Sequence, residues 1–274
     1  METPKALLLH VDDNEACIAD ARLAQRLAER FDAQVTALYA VTPSVVRYPA
    51  SAAMDSAWVV ADQLVEFDKQ QRAKAKIRFV TAQKELPRVR WSESVVVTAW
   101  DFPQQAMYSD LVVMRGAEPA DKELPSDFAA TVAIESGRPV LVLPSELPAD
   151  VGTNVLIAWK PSREAVRAVS AALPWLRQAR RVHLAAAETH DESGAASVVS
   201  LSRYLSAHGV ECTRSAPIAD TRDAGPAITA LAGDLGADLL VMGCYGHSRT
   251  REWLLGGTTA SMTREPALPV LMAH

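Results

Sequence analysis

The sequence predicts an α/β fold of two doubly wound domains, each with a parallel five-stranded sheet, arranged as an internal pseudo-dimer. Three observations predict it. Short apolar runs alternate with helical patterns, the runs carry no polar alternation, and the whole arrangement occurs twice. Apolar runs without alternation read as strands buried on both faces. Strand and helix in regular succession imply right-handed crossovers and a parallel sheet.

Taken in order, the first half opens with Ala6-Leu7-Leu8-Leu9-His10-Val11, a polar turn Asp12-Asp13-Asn14 and an Ala/Leu/Arg helix. The second half opens with Asn154-Val155-Leu156-Ile157-Ala158-Trp159, the turn Lys160-Pro161-Ser162 and another such helix, at an offset of 148. Later, Ser109-Asp110-Leu111-Val112-Val113-Met114 matches Ala237-Asp238-Leu239-Leu240-Val241-Met242 at an offset of 128. Arg138-Pro139-Val140-Leu141-Val142-Leu143 matches Leu268-Pro269-Val270-Leu271-Met272-Ala273 at 130. The first half therefore holds some 20 extra residues between Pro43 and Glu85, where Asp62–Lys76 reads as a long polar-faced helix. Ser145–Thr153, rich in Pro, Glu, Asp and Gly, is the connector, which sets domains at 1–146 and 152–274.

In the second half the predicted strands are Val155–Trp159, Val182–Ala187, Val210–Thr213, Leu239–Met242 and Val270–Ala273. The predicted helices are Ser162–Leu173, with a serine N-cap, then Ala196–Ala207, then Pro226–Leu235 with Pro in the first turn. Ligands of such sheets bind beyond the carboxyl ends of the strands. The loops after Trp159, Ala187 and Met242 are accordingly the places to look for chemistry.

Composition narrows the function classes. The 274 residues are 49% hydrophobic and 22% charged, ordinary globular values that exclude disorder and a disulfide scaffold. With 28 basic against 33 acidic residues and no basic stripe, a nucleic-acid partner is not expected. Cys17, Cys212 and Cys244 form no CxxC pair and fit a reducing compartment. No run is long enough for a bilayer span or a signal h-region, so a cytoplasmic protein without a membrane partner is expected.

The loop after Val241-Met242 reads Gly243-Cys244-Tyr245-Gly246-His247-Ser248-Arg249, and Gly256-Gly257-Thr258-Thr259 opens the last helix. Glycines after a buried strand let backbone N–H groups turn toward an anion, and a helix N-terminus adds unsatisfied donors. Together they suit a polyphosphate without a lysine. A glycine-rich connector with Gly256-Gly257 as a flexible helix entry is the other reading. The loop is neither a Walker A sequence nor a GxGxxG.

The second half resembles a universal stress protein domain, whose ATP-binding members carry G-x2-G-x9-G-[S/T]. Gly243, Gly246 and Gly256 fill those spacings. The openings of both halves and the Ala237–Gly243 and Leu268–His274 frames extend the resemblance over nearly the whole chain as a tandem pair. It implies adenine-nucleotide contacts from Ala158, Trp159, Lys160, Ala187, Met242, Gly243, Tyr245, Gly246, Gly256, Gly257, Thr258 and Thr259. The implied ligand is ATP, with or without Mg, in a regulatory or stress-response role. Family members dimerise through the last strand, so Pro139–Pro144 and Pro269–His274 are the strands expected to pair within this chain, and a further homodimer stays open.

There are departures from the family pattern. Gly257 replaces the hydroxyl residue, with hydroxyls following at Thr258 and Thr259, and Lys160 stands where the family has an aspartate. No general base for attack on a γ-phosphate stands out, so at most slow ATP hydrolysis is expected. A non-catalytic interaction module with a vestigial site is the alternative, and an enzyme acting on another phosphate-bearing ligand is a third. The first half keeps Asp12 but has Arg115 where the second has Gly243, and Ser126-Asp127 where it has Gly256-Gly257. Its stretch Gly116–Phe128 carries Glu118, Asp121, Glu123 and Asp127, carboxylates that repel phosphate, so no ATP is expected there.

The remaining candidates read as structural. His183 falls within a strand, His190-Asp191-Glu192 lacks a second metal-ligand pair, and His247-Ser248 has no nucleophile elbow. Cys244 reads as a small passive residue and the six tryptophans as packing.

Overall fold

The computed structural model describes residues 3–48, 57–93, 97–116, 124–186, 192–218, 223–244 and 257–274. The first half runs β1 (Ala6–Val11), α1 (Cys17–Phe31), β2 (Gln34–Val41), α2 (Ser44–Arg47), α3 (Ala57–Ala82), β3 (Val89–Trp91), β4 (Val97–Thr98), α4 (Phe102–Ala106), β5 (Leu111–Arg115), α5 (Phe128–Ser136) and β6 (Val140–Leu143). The second runs β7 (Asn154–Trp159), α6 (Arg163–Leu176), β8 (Arg181–Ala186), α7 (Glu192–Ala207), β9 (Thr213–Arg214), α8 (Gly225–Leu235), β10 (Leu239–Gly243), α9 (Thr258–Arg264) and β11 (Val270–Ala273).

These strands form one continuous sheet in the order β3-β2-β1-β5-β6-β11-β10-β7-β8-β9, with β4 beside β2. Among the described residues every pairing within a half is parallel, and β6 and β11 alone meet antiparallel, Val142 opposite Val270 and Val140 opposite Met272. Every residue of β6 and most of β11 is fully buried, so an unpaired edge here would strand backbone donors and acceptors away from water. Pairing the two edges removes that problem and fuses the sheets.

Successive strand residues point to opposite faces. Leu7, Leu9 and Val11 join Leu27, Phe79, Val169 and Leu205 under α1, α3, α6 and α7, whereas Leu8, Val112 and Val142 join Phe102, Val132, Ile228 and Met262 under α4, α5, α8 and α9. Both layers cross the seam: Phe31 of α1 meets Trp175 of α6 edge-on at 4.6 Å between ring centroids. Trp175 and Trp159 are buried as packing residues, but Trp100 is 53% exposed, contrary to that reading.

The first half has six strands among the described residues, β4 being added to the five expected. Helices α6 and α7 extend beyond the expected Ser162–Leu173 and Ala196–Ala207, and two elements differ further. The insert helix is longer, Ala57–Ala82 rather than Asp62–Lys76. Val210 does not begin a strand, because it caps α7: Gly209 turns at φ +76, the Val210 N–H reaches the Leu205 carbonyl at 2.9 Å, and the Gly209 N–H reaches Ser206. The buried Val210 thus closes a Schellman turn, and β9 shrinks to Thr213–Arg214 at the sheet edge.

Candidate functional site

In the second half β7 and β10 lie side by side, so their carboxyl ends bring Ala158, Trp159 and Lys160 next to Met242 and Gly243. Trp159 is buried and its Nε1–H donates to Ser197 Oγ at 3.3 Å, while Lys160 is exposed at the edge. Between these strand ends the chain enters α6. Ser162 is extended, and its Oγ accepts the Ala165 N–H at 3.1 Å, the N-cap expected from sequence. Glu164 in this first turn is buried. Burial pushes its carboxyl up, but its own backbone N–H, the Ser162 hydroxyl and the charges of His274 and Arg163 bring it below the usual carboxylate range.

Gly243 packs directly on that turn. A Cβ at this position would stand 2.7 Å from Ala165 N and 3.0 Å from Glu164 C. Packing alone therefore requires glycine here. Cys244 follows, fully buried; its N–H donates to the Ala273 carbonyl and its own carbonyl accepts from His274 Nδ1 at 2.9 Å. Arg167 in turn donates to the His274 carbonyl at 2.7 Å.

At the start of α9, Gly257 is extended with no side-chain cap, and Thr259 is buried. Thr258 Oγ1 accepts the Ala224 N–H at 2.9 Å, docking α9 onto the start of α8. Asp223 tightens the same joint by accepting from Gly225 N–H and Ser261 Oγ. Ala187, Tyr245, Gly246 and Gly256 lie outside the described residues, as do His190, Asp191, His247, Ser248 and the carboxylates Glu118, Asp121 and Glu123.

The same edge of the first half is built differently. Arg115, at the end of β5, donates from Nε to Asp20 Oδ2 at 2.7 Å and from Nη1 to the carbonyls of Pro144 and Ser145. Asp20 is almost wholly buried in the first turn of α1, and its Oδ1 has no partner among the described residues. Burial pushes its carboxyl up to about 6 against the pull of Arg115, and Asp12 adds to the rise. A cleft of about 530 Å³ opens above, lined by Asp12, Asn14 and Arg115 and closed from the second half by Arg264–Ala267. Gly116 makes that closure feasible: a Cβ there would come within 2.8 Å of Thr263 O and of Pro266 Cδ.

The universal stress protein family model matches residues 153–274. Those residues form a universal stress protein family domain. The architecture of this chain resembles that of a universal stress protein from Archaeoglobus fulgidus DSM 4304, with TM-score 0.72 and 17% identity over 98% of this chain and 97% of that one. It also resembles a protein from Pseudomonas aeruginosa UCBPP-PA14, with TM-score 0.51 and 14% identity over 98% and 92%. At such identities the likeness is one of fold. Universal stress protein Slr1230 of Synechocystis sp. is 50% identical over 38 residues, which span 14% of this chain and 13% of that protein.

Within the universal stress protein domain the structure brings together the ends of β7 and β10 and the first turn of α6. It ties Thr258 to α8 instead of leaving its oxygen free of protein. Sequence reasoning missed Glu164 and the Asp20–Arg115 pair. The signal for the second was present: Arg115 stands where the other half has Gly243, and a charged residue at a buried strand end needs a counter-ion. No helix among the described residues is long and apolar enough to cross a membrane.

Proposed function

We propose that this chain is a tandem universal stress protein that binds an adenine nucleotide, ATP with or without Mg, in its second half. The observation that carries this reading is the spacing Gly243-x2-Gly246-x9-Gly256 at the carboxyl edge of β10, in a universal stress protein domain. Backbone N–H groups of the loop would hold the phosphates, and the edge residues Ala158, Trp159, Lys160 and Met242 would border the nucleoside. The role is regulatory within a stress response, in the cytoplasm, with slow ATP hydrolysis at most. In the first half Arg115 stands in place of the glycine and is paired with Asp20. The sequence there also carries Glu118, Asp121, Glu123 and Asp127, which repel phosphate, so a polyphosphate is not expected in that half.

One observation favours a second reading, an interaction module with a vestigial site. Thr258 Oγ1, the hydroxyl nearest to the shifted family position, already accepts a backbone N–H from Ala224. Its proton remains to be donated, so a phosphate contact is still feasible.

Thermal unfolding with and without ATP decides between them. At about 100 times its dissociation constant, ATP should stabilise the wild type by roughly 2.7 kcal/mol, and Gly246→Val with Gly256→Val should remove that gain. A wild type that gains no stability supports the vestigial reading. A double variant that keeps the full gain places the nucleotide elsewhere.

A further inference from the structure

The helix α3 sits in the extra segment of the first half and is 26 residues long, against 16 for α7 at the equivalent place. Its apolar residues do not all face the core; Val65 and Phe67 are 44% and 45% exposed on other sides of the helix. Ala75 and Phe79 are buried against the core, yet Ile77 and Val80 are 65% and 60% exposed. On the outer side, Asp62, Glu66, Lys69, Ala73, Ile77, Val80 and, in the turn that follows, Lys84 are all exposed. Their spacing of three and four residues places them on one line along the helix.

That line is symmetric about Ala73. Lys69 and Ile77 flank it at four residues, Glu66 and Val80 at seven, Asp62 and Lys84 at eleven. We propose that this line is the contact between two copies of the chain, packed antiparallel about a two-fold axis at Ala73. An antiparallel pair sets each position opposite its mirror across the axis. Ala73 then meets Ala73 of the second copy, where a methyl group permits close helix approach. Ile77 and Val80 cover the aliphatic stems of Lys69 and Glu66 on the second copy. The Glu66–Lys69 ion pair, 3.5 Å apart on the surface, keeps those stems aligned along the helix. At each end Asp62 faces Lys84, opposite charges in register. The opposite charges of Asp62 and Lys84 in register are the self-complementarity an isologous contact demands. The seam between β6 and β11 lies within one chain, so this surface is separate from it.

A single helix pair about 39 Å long is a small interface, so the association is expected in the roughly micromolar range. Sedimentation velocity of the full chain from about 5 to about 500 µM should show a concentration-dependent dimer, lost in Ile77→Glu with Val80→Glu. Both positions are exposed, so the substitutions open no cavity. A second test reads the register. In a Cys212→Ser background, Ala73→Cys should form a disulfide-linked dimer on mild oxidation. Asp62→Cys should not, because position 62 lies about 33 Å from its copy. A chain that stays monomeric throughout, a dimer indifferent to the double glutamate variant, or equal cross-linking at 62 and 73 would each overturn the proposal.

Discussion

Asp110 and Asp238, 128 positions apart, pin the first strand of their respective halves in the same way. Asp110 Oδ2 accepts the N–H groups of Lys5 and Ala6 at 2.8 and 3.0 Å. The Asp238 carboxylate accepts those of Gly152, Thr153 and Asn154 at 2.9 to 3.0 Å. Each aspartate precedes the strand that pairs with the one it pins.

Hydrogen bonds to a charged acceptor are among the stronger ones, and orphaned backbone donors add their desolvation cost. Asp238→Ala should therefore destabilise the fold by about 2–4 kcal/mol, and Asp110→Ala, exposed and with two amides, by about 1–2 kcal/mol. Urea unfolding of the two variants measures both. A larger loss at Asp110 would contradict this account.

The close packing of Gly243 on α6 predicts a loss that is independent of nucleotide. Gly243→Ala places a methyl group against the backbone of Glu164 and Ala165, which cannot rotate away. The expected loss is about 1–3 kcal/mol in the absence of ligand. A variant that unfolds at the wild-type midpoint would show that β10 and α6 tolerate separation.

The Asp20 carboxyl has a folded value of about 6 against an ordinary 3.8. The folded chain thus holds an extra proton between those values. The stability this group contributes is fully present below about pH 4 and is lost as pH rises through about 6. Lowering the pH from 7.5 to 5 should raise the wild-type urea midpoint relative to Asp20→Asn, which lacks the group. Equal pH slopes in both proteins would sink the assignment.

Gly116→Ala tests the closure of the first-half cleft. Its methyl group would press on the carbonyls of Thr263 and Arg264 and on the Pro266 ring. We expect a loss of about 1–3 kcal/mol and faster amide exchange across Thr258–Arg264. Unchanged exchange in that helix would mean that the two halves adjust without strain.

Much of this was legible in the sequence because it depends on local pattern. Uninterrupted apolar runs such as Val140–Leu143 mark strands covered on both faces, and Ser162 before an Ala/Val helix marks a cap. The paired motifs around Asp110 and Asp238 marked the repeat, although not the role of the aspartates themselves. Val210 misled for a physical reason: a valine after glycine serves a strand start and a helix cap equally well, and only the partner of its N–H separates the two.

The sequence by itself determined the α/β alternation and the glycine spacing after β10, since each follows from residues close together in the chain. Tertiary structure alone decided that Arg115 turns back to Asp20, 95 positions away. It alone decided that Gly116 receives the end of α9 and that Thr258 is tied to Ala224. The physical reason is common to all three. A guanidinium, a missing Cβ and a hydroxyl each have many possible partners in the unfolded chain. Arg115 and Thr258 find theirs when the elements of their own half pack, and Gly116 only when the buried edges β6 and β11 pair and set the two halves against each other.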